Sequence, residues 1–269
     1  MVPCMTQRNF SLLFLALWLG GGLGACRADE PTLAATATFE AYAGAVEARL
    51  AHQHQSPAGF LGGVLADPGN VDRLRAGQLI VEQLTPPVGA ALPRAMLHHW
   101  RATAFAPGAT AEDFDRLMLD FSAWPHVYAP EVLAARVIAQ QGDRYQMMMR
   151  VRQRHVLIVT MDTSYDVVFG RLDAGHRFSA SRSTQISEID GHGRALSAAD
   201  EHGYLWRQNT YWSCVERDGG LYLQIESISL TRSIPTGLAW AIGPFVESVP
   251  RESLEFTLRA TSRALRRAQ

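Results

Sequence analysis

The side chains that could carry out chemistry are scattered along this chain, and no pair of them has the spacing of a catalytic or metal-binding motif. The sequence contains no G-x-S-x-G, P-loop, H-E-x-x-H or C-x-x-C motif. His98 and His99 would point to opposite faces of a strand. His52 and His54 would lie on different sides of a helix, so neither pair is a suitable metal site. We therefore predict no catalytic residue, no metal ion and no cofactor.

Charge and cysteine content narrow the classes of partner. The 269 residues include 25 basic and 26 acidic side chains, for a formal net charge of -1. No Lys/Arg run has the density that nucleic-acid binding requires, so no nucleic-acid partner is expected. Arg150, Arg152 and Arg154 would share one face of a strand, which we interpret as a solvated edge or hairpin end. Cys214 lies in a strand-like segment and is predicted to be buried and structural.

Residues 1–26 have the pattern of a secretory signal peptide. Phe10–Leu19 is an apolar run that follows Arg8 and precedes a glycine-rich stretch. A run of this length is too short to span a hydrocarbon core of about 30 Å as a helix. A weak basic region, an apolar run and small residues in this order are typical of a cleaved signal. We therefore expect the protein to be exported to the periplasm or the cell envelope.

The end of this segment, Leu23-Gly24-Ala25-Cys26, resembles the lipobox of bacterial lipoproteins. The resemblance implies that Cys26 is lipidated and that the protein is tethered to a membrane. Two or more acyl chains anchor a protein stably, since each buried CH2 contributes about 0.8 kcal/mol. The alternative is simple cleavage, for instance after Ala28, which would leave a soluble periplasmic protein.

The mature chain is predicted to begin with a tether and a helix. Residues 34–53 carry apolar side chains at helical spacing, which form one stripe of Phe39, Tyr42, Val46 and Leu50. The surface against which this stripe packs is left open by the sequence. Strands are predicted at residues 79–84 and 96–105.

A second helix is predicted to begin at Thr110, because Thr110 and Asp113 have the spacing of a capping box. It is expected to stop near Ser122, with Trp124-Pro125 as the break. Apolar and polar residues then alternate, most clearly over residues 155–169, which is the period-2 pattern of a half-solvated strand. Strands are predicted at residues 132–139, 145–151, 155–169, 176–189, 203–216 and 221–231.

A final helix is predicted to open at Val249-Pro250, with Leu254, Leu258 and Leu265 along one side. Residues 236–244 before it are interpreted as an apolar connector.

Asp218-Gly219 is a hairpin turn signal that fixes the pairing of the last two strands. If these are the two loop residues, Arg217 faces Gly220 and the register follows. Glu226 would then form a cross-strand pair on the surface with Arg207 or Tyr211. The more apolar face is assigned to the interior, and it carries Trp206, Trp212, Cys214, Leu223 and Ile225.

The order of these elements resembles the START/SRPBCC superfamily, which includes polyketide cyclases, birch-pollen-type allergens and coenzyme Q-binding proteins. Leu119–Val132 is similar to the family's passage from helix to strand, and Val249–Leu254 leads similarly into a closing helix. The resemblance implies an α+β helix-grip fold, in which a curved antiparallel sheet wraps around a long C-terminal helix and encloses an apolar cavity. We assign this domain to residues 78–269 and treat residues 27–77 as a tether and helical extension.

Inside such a cavity, a few polar groups among apolar walls would orient a ligand. The family shares no catalytic residue, so the resemblance implies none here. Tyr165 and Trp240 are placed near the rim. The candidates on the strands are Arg182, Thr184, Trp206, Thr210 and Trp212.

These observations favour a non-enzymatic binding or carrier protein for a hydrophobic, lipid-like molecule. One alternative is a cyclase or aromatase type of enzyme, in which a positioned Arg, His or Tyr moves a proton. Export argues against it, because polyketide carriers are cytoplasmic. A second alternative is a structural envelope lipoprotein whose interior is filled by its own side chains.

Overall fold

The computed structural model describes residues 30–84, 92, 94–154, 158–233 and 239–267. The predicted signal peptide and Cys26 lie outside the described residues. The helices are α1 Leu33–Gln53, α2 Pro68–Arg75, α3 Ala111–Leu119, α4 Trp124–Val127 and α5 Ala239–Arg267. The strands are β1 Ile80–Gln83, β2 Ala95–Pro107, β3 Val132–Gln141, β4 Arg144–Arg154, β5 Ile158–Arg171, β6 His176–Glu188, β7 Arg207–Arg217 and β8 Gly220–Arg232.

All eight strands form one curved antiparallel sheet in the order β1-β2-β8-β7-β6-β5-β4-β3. The hairpin between β7 and β8 turns at Asp218 and Gly219, whose φ angles are 58° and 73°. A two-residue hairpin loop of type I′ requires positive φ at both positions, and glycine adopts positive φ without strain. Arg217 pairs with Gly220, so the predicted register is confirmed.

Helix α3 begins at the predicted capping box. The Thr110 hydroxyl accepts the backbone N–H of Asp113 at 3.1 Å, and the Asp113 carboxylate accepts the backbone N–H of Thr110 at 2.9 Å. The helix ends at Leu119, and Trp124-Pro125 opens the separate short helix α4. A proline is tolerated there because the first N–H groups of a helix have no intrahelical partner.

Helix α5 packs against one face of the sheet, as predicted. Leu254, Leu258 and Leu265 are at most 4% exposed. They share a core cluster with Leu223 and Ile225 of β8 and with small residues of β2. Cys214 is fully buried in the same cluster, and burial raises the pKa of its thiol, so it is structural as expected. The helix-grip architecture is therefore confirmed.

The predicted start of α5 was wrong. The helix begins at Ala239 rather than at Val249, and Pro250 lies inside it. An interior proline costs about 3 kcal/mol, because it removes one hydrogen bond and crowds the preceding turn. Each buried leucine contributes about 1.5–3 kcal/mol. Leu254, Leu258 and Leu265 together offset such a penalty, but all three lie after Pro250, so their spacing predicted the buried part of the helix and not the turns that precede it.

Helix α1 covers the face of the sheet opposite α5. Its predicted apolar stripe is buried against Ile228 and Leu230 of β8 and Tyr211 of β7. Side chains alternate between the two faces of a strand, so Ile228 and Leu230 point away from Ile225 and α5. The partner of the helical extension is therefore the outer face of the sheet.

Glu226 faces Tyr211 across the strands, as predicted, but the predicted surface location of this pair is wrong, because α1 buries it. Glu226 is 1% exposed. Its Oε1 accepts from Nε2 of His99 at 2.8 Å and also from Arg49 of α1. Nδ1 of His99 is hydrogen-bonded to the Tyr42 hydroxyl at 2.6 Å. Burial alone would raise the pKa of Glu226, but the His99 hydrogen bond and the Arg49 charge lower it below its usual range.

Glu47 makes a second polar attachment between α1 and the sheet. Both of its carboxylate oxygens accept from Arg182 of β6, at 2.6 and 2.9 Å. The Tyr211 hydroxyl donates to Glu47 at 2.9 Å. The chain after α1 continues this cover, since Gln224 donates to the backbone oxygen of Leu61 at 3.1 Å.

We expect Tyr42→Phe to lower the free energy of unfolding by about 1–3 kcal/mol, because it leaves a buried nitrogen of His99 without its partner. Urea denaturation measures this change. Tyr145→Phe is the matched control, since the Tyr145 hydroxyl bonds to Gln140 on an exposed surface. Its cost should stay within about 0.5 kcal/mol. Equal effects of the two substitutions would contradict a buried attachment of α1.

Candidate ligand cavity

A cavity of about 210 Å³ lies between the concave face of the sheet and α5. Side chains from α3, α4, β4, β5, β6, β7, β8 and α5 line it. Pockets for small ligands commonly measure about 300–1,000 Å³, whereas one water needs about 10–15 Å³. The cavity is therefore far larger than a packing defect and suits a small ligand.

One wall of the cavity is made of methionines and aromatic rings. Met147 and Met149 project inward from β4 because side chains alternate, and Met161 of β5 lies beside them. The wall is completed by Met118 of α3 and Trp124 of α4. The flexible thioether chain of methionine adapts to irregular apolar shapes. This wall can accommodate ligands that differ somewhat in outline.

Uncharged polar side chains follow β7 and β8 along the opposite wall. The Tyr165 hydroxyl donates to Gln208 at 3.2 Å, and Gln208 donates to the Ser227 hydroxyl at 3.5 Å. Ser229 is 5% exposed and also lines the cavity. Hydroxyl and amide groups at alternate strand positions can hydrogen-bond a ligand whose other side contacts the apolar wall.

Two tyrosine hydroxyls at the cavity stay protonated. Burial raises the pKa of both Tyr128 and Tyr165 to about 12. Tyr128 is hydrogen-bonded to Thr261 of α5 at 3.0 Å. Neither phenol lies near its pKa at neutral pH, so both act as hydrogen-bonding groups rather than as bases.

Charged residues lie at one end of the cavity, which we call the cavity mouth and define by Glu131, Arg152, Gln153 and Tyr204. The start of β3, the end of β4 and the start of β7 lie at this end of the antiparallel sheet. Burial raises the pKa of Glu131 to about 7. Arg150 projects to the other face, where its guanidinium pairs with Asp162 at 2.7 and 2.8 Å.

The structure brings together Tyr165, Thr210 and Trp212 among the predicted ligand-binding residues, and all three line the cavity. Trp212 packs on Phe114 with ring centroids 5.9 Å apart. Tyr165 is 5% exposed, so it belongs to the interior rather than to a rim.

The other predicted ligand-binding residues lie elsewhere. Arg182 pairs with Glu47 on the α1 side and borders a separate polar concavity of about 320 Å³. Thr184 is exposed, and Trp206 packs in the cluster under α1. Trp206 precedes the first residue of β7, so the alternation of that strand does not apply to it. The side chain of Trp240 lies outside the described residues.

Sequence reasoning missed the methionine wall and the charged mouth. The alternation of Tyr145, Met147 and Met149 contained the signal for the wall, but nothing in the sequence indicated that this face meets α5. Glu131 follows α4 outside any regular element, so its burial had no sequence signal. In the ranges that the structure describes, no group of three or more His, Cys, Asp or Glu side chains could hold a metal ion.

Several solved structures are similar to this chain. A STAR-related lipid transfer protein from Xanthomonas axonopodis is 16% identical, with a TM-score of 0.45, over 69% of this chain and 98% of that one. Human STARD10 is 11% identical, with a TM-score of 0.48, over 74% and 79% of the two chains. The Zhui aromatase/cyclase from a Streptomyces species is 14% identical, with a TM-score of 0.44, over 65% and 97%.

The chain has a helix-grip fold, in which a curved antiparallel sheet packs against the C-terminal helix α5. No family model matches it, and no curated protein sequence does. At these identities the likeness of the helix-grip domain to its neighbours is one of fold alone. Among the helices of the described ranges, none combines the length and apolar character of a membrane span.

We expect the contribution of Glu131 to the stability of the protein to fall as pH rises from about 4.5 to about 7, the ordinary and the folded pKa of its carboxyl. In this window the folded chain keeps a proton that the unfolded chain has released, so raising the pH favours unfolding. Glu131→Gln removes this contribution, and urea denaturation across the window measures it. Glu40→Gln, at an exposed position of α1, should keep the wild-type profile. If the free energy of unfolding of Glu131→Gln changed with pH as that of the wild type does, the raised pKa of the Glu131 carboxyl would be contradicted.

Proposed function

We propose that this protein binds and carries a hydrophobic, lipid-like small molecule in the cavity under α5, and that it does so in the cell envelope. The observation that carries the proposal is an unfilled cavity of about 210 Å³ with one apolar and one uncharged polar wall. Burial of apolar ligand surface there would contribute about 25 cal/mol per Å². The polar wall would set the orientation of the ligand.

The presence of the cavity argues against a structural protein whose interior is filled by its own side chains. Side chains that filled this space would bury further apolar surface, at about 25 cal/mol per Å², as Phe114 and Leu258 do elsewhere in the same interior. The hollow is explained more simply as a ligand site.

The arrangement of side chains favours binding over cyclase or aromatase chemistry. Such an enzyme needs a group that can move a proton, held within hydrogen-bond reach of the substrate. Arg182, one candidate for that role, faces α1 rather than the cavity, and Tyr165 keeps its proton at neutral pH. His155 lies outside the described residues.

We expect Thr210→Phe to weaken the binding of a neutral fluorescent dye such as Nile red by about tenfold or more, where a factor of ten corresponds to 1.4 kcal/mol of lost interaction. The reason is steric, because Thr210 lines the cavity and a phenyl ring would occupy much of it. Fluorescence titration of the purified protein measures the affinity.

Thr184→Phe is the matched control, since Thr184 is exposed on the neighbouring strand β6. It should bind the dye as the wild type does. If both variants bind the dye equally well, the dye site is not the cavity and the proposal fails. Native mass spectrometry of gently purified protein should in addition show a bound adduct.

The envelope location is proposed from the lipobox-like Cys26. Six residues, 27–32, separate Cys26 from the first residue of α1. That length spans about 20 Å when extended, so a lipid anchor would hold the helix-grip domain close to the membrane surface. A carrier in that position could exchange its ligand with the bilayer.

We expect cells that express the wild type to incorporate a radioactive fatty acid into the protein, and cells that express Cys26→Ser not to. Autoradiography of the isolated protein measures incorporation. Cys214→Ser is the control, because Cys214 is buried and should not affect labelling. Absence of label from the wild type, or equal label on Cys26→Ser, would contradict the lipidation of Cys26.

A further inference from the structure

We propose that the ligand is an uncharged amphiphile with a hydroxyl group, and that Gln208 binds this hydroxyl inside the cavity while the apolar part of the ligand contacts the methionine wall. Gln208 would then determine which polar group the site accepts. This proposal rests on the function proposed above, since it names the class of ligand for the same cavity.

Gln208 belongs to a group of uncharged side chains on β7 and β8, which we call the polar patch and define by Gln208, Thr210, Ser227 and Ser229. Alternation along β7 places Gln208 and Thr210 on the face toward α5, whereas Tyr211 lies under α1. On β8, Ser229 lies directly opposite Gln208, and Ser227 lies opposite Thr210. Residues that face each other across an antiparallel pair share one face of the sheet. The four side chains therefore meet at the same part of the cavity.

Two hydrogen bonds hold the side chain of Gln208 in place. Its Oε1 accepts from the Tyr165 hydroxyl at 3.2 Å, and its Nε2 donates to the Ser227 hydroxyl at 3.5 Å. An amide oxygen can accept two hydrogen bonds, and an amide nitrogen can donate two. With the partners that the described residues supply, each atom keeps one position for a ligand. A ligand hydroxyl can use both, because it donates and accepts.

Two further hydroxyls of the polar patch lack partners within the described part of the chain. Ser229 is 5% exposed, and neither its hydroxyl nor that of Thr210 is hydrogen-bonded there. Both lie next to Gln208, one across the strand pair and the other two residues along β7. A polar group that is removed from water without a hydrogen bond is costly, and a ligand that pairs with it recovers that cost. These hydroxyls favour a ligand with a polar group at this level of the cavity.

The polar patch lies away from the charged residues of the cavity. Tyr165, the partner of Gln208, pairs with Met147 on β4, five residues before Arg152. Strand residues advance about 3.3 Å each, so Arg152 lies about 16 Å along the strand from this level. Among the described lining residues, the charged ones are Arg152 and Glu131, both at the cavity mouth. An anion at Gln208 would lose its water without gaining a cation, which one hydrogen bond does not offset. The polar patch therefore suits an uncharged group.

The test compares 1-decanol, 1-fluorodecane and decanoate at about pH 8, by displacement of Nile red from the full chain. All three have a ten-carbon chain. The hydroxyl donates and accepts, the fluorine donates no hydrogen bond and accepts poorly, and the carboxylate is charged. We expect the wild type to bind 1-decanol about tenfold or more tightly than decanoate. Gln208→Leu should lower the ratio of the affinities for 1-decanol and 1-fluorodecane about fivefold or more, because the hydroxyl loses its amide partner.

Two further variants separate this role from a general effect on folding. Tyr165→Phe should lower the same ratio by a smaller factor, since it removes the group that orients the Gln208 amide and leaves the amide in place. Ser229→Ala, a smaller change in the same patch, should lower the ratio about twofold. Gln185→Leu is the matched control and should keep the wild-type ratio, because the Gln185 side chain bonds to Ser187 on an exposed surface. Loss of stability alone affects both ligands equally and leaves the ratio unchanged.

An unchanged ratio in Gln208→Leu, or tighter binding of decanoate than of 1-decanol by the wild type, would overturn this proposal while leaving the carrier function intact. If Gln208→Leu does not fold, an unchanged ratio in Ser229→Ala would overturn it in the same way. Failure of the dye and of all three amphiphiles to bind would contradict the function itself.

Discussion

The contact between α5 and the concave face of the sheet is the constraint on which the rest of the structure depends. Leu254 and Leu258 seal one part of that face against β2 and β8. Helix α5 packs directly on β2 and β8, whereas the cavity separates it from β4 and β5. The methionines on the inner face of β4 and β5 therefore line a cavity instead of a close-packed core.

The same strands carry contacts of opposite kinds on their two faces. On β8, Ile225 and Ser227 line the cavity, while Glu226 between them is held under α1 by His99 and Arg49. A buried carboxylate with two cationic or hydrogen-bonding partners tolerates little displacement, since loss of either partner leaves an uncompensated charge. The attachment of α1 therefore fixes the position of the strands that form the polar wall of the cavity.

Local patterns predicted most of the helices and strands, but they did not predict which element covers each face. The turn at Asp218-Gly219 determined the register of β7 and β8, and the leucine spacing identified the buried face of α5. Tyr211 and Trp212 are neighbours on β7, and side-chain alternation correctly places them on opposite faces of the sheet. Alternation does not show which element covers each face. The less apolar face was taken as solvent-exposed because α1, distant in sequence, supplies the partners of Glu226 and Arg182. Glu131 was missed for a similar reason, since it lies beside Arg152 at the end of β4, which is distant from it in sequence.

The central claim is that a ligand enters the space between the sheet and α5. Methyl NMR of protein labelled at its methionines tests this claim most directly, because methionines lie both inside and outside the cavity. During titration with 1-decanol, the methyl resonances of Met118, Met147, Met149 and Met161 should shift in a saturable way, while that of Met148, on the other face of β4, should not. Unchanged cavity resonances, or a shift of Met148 alone, would contradict the account.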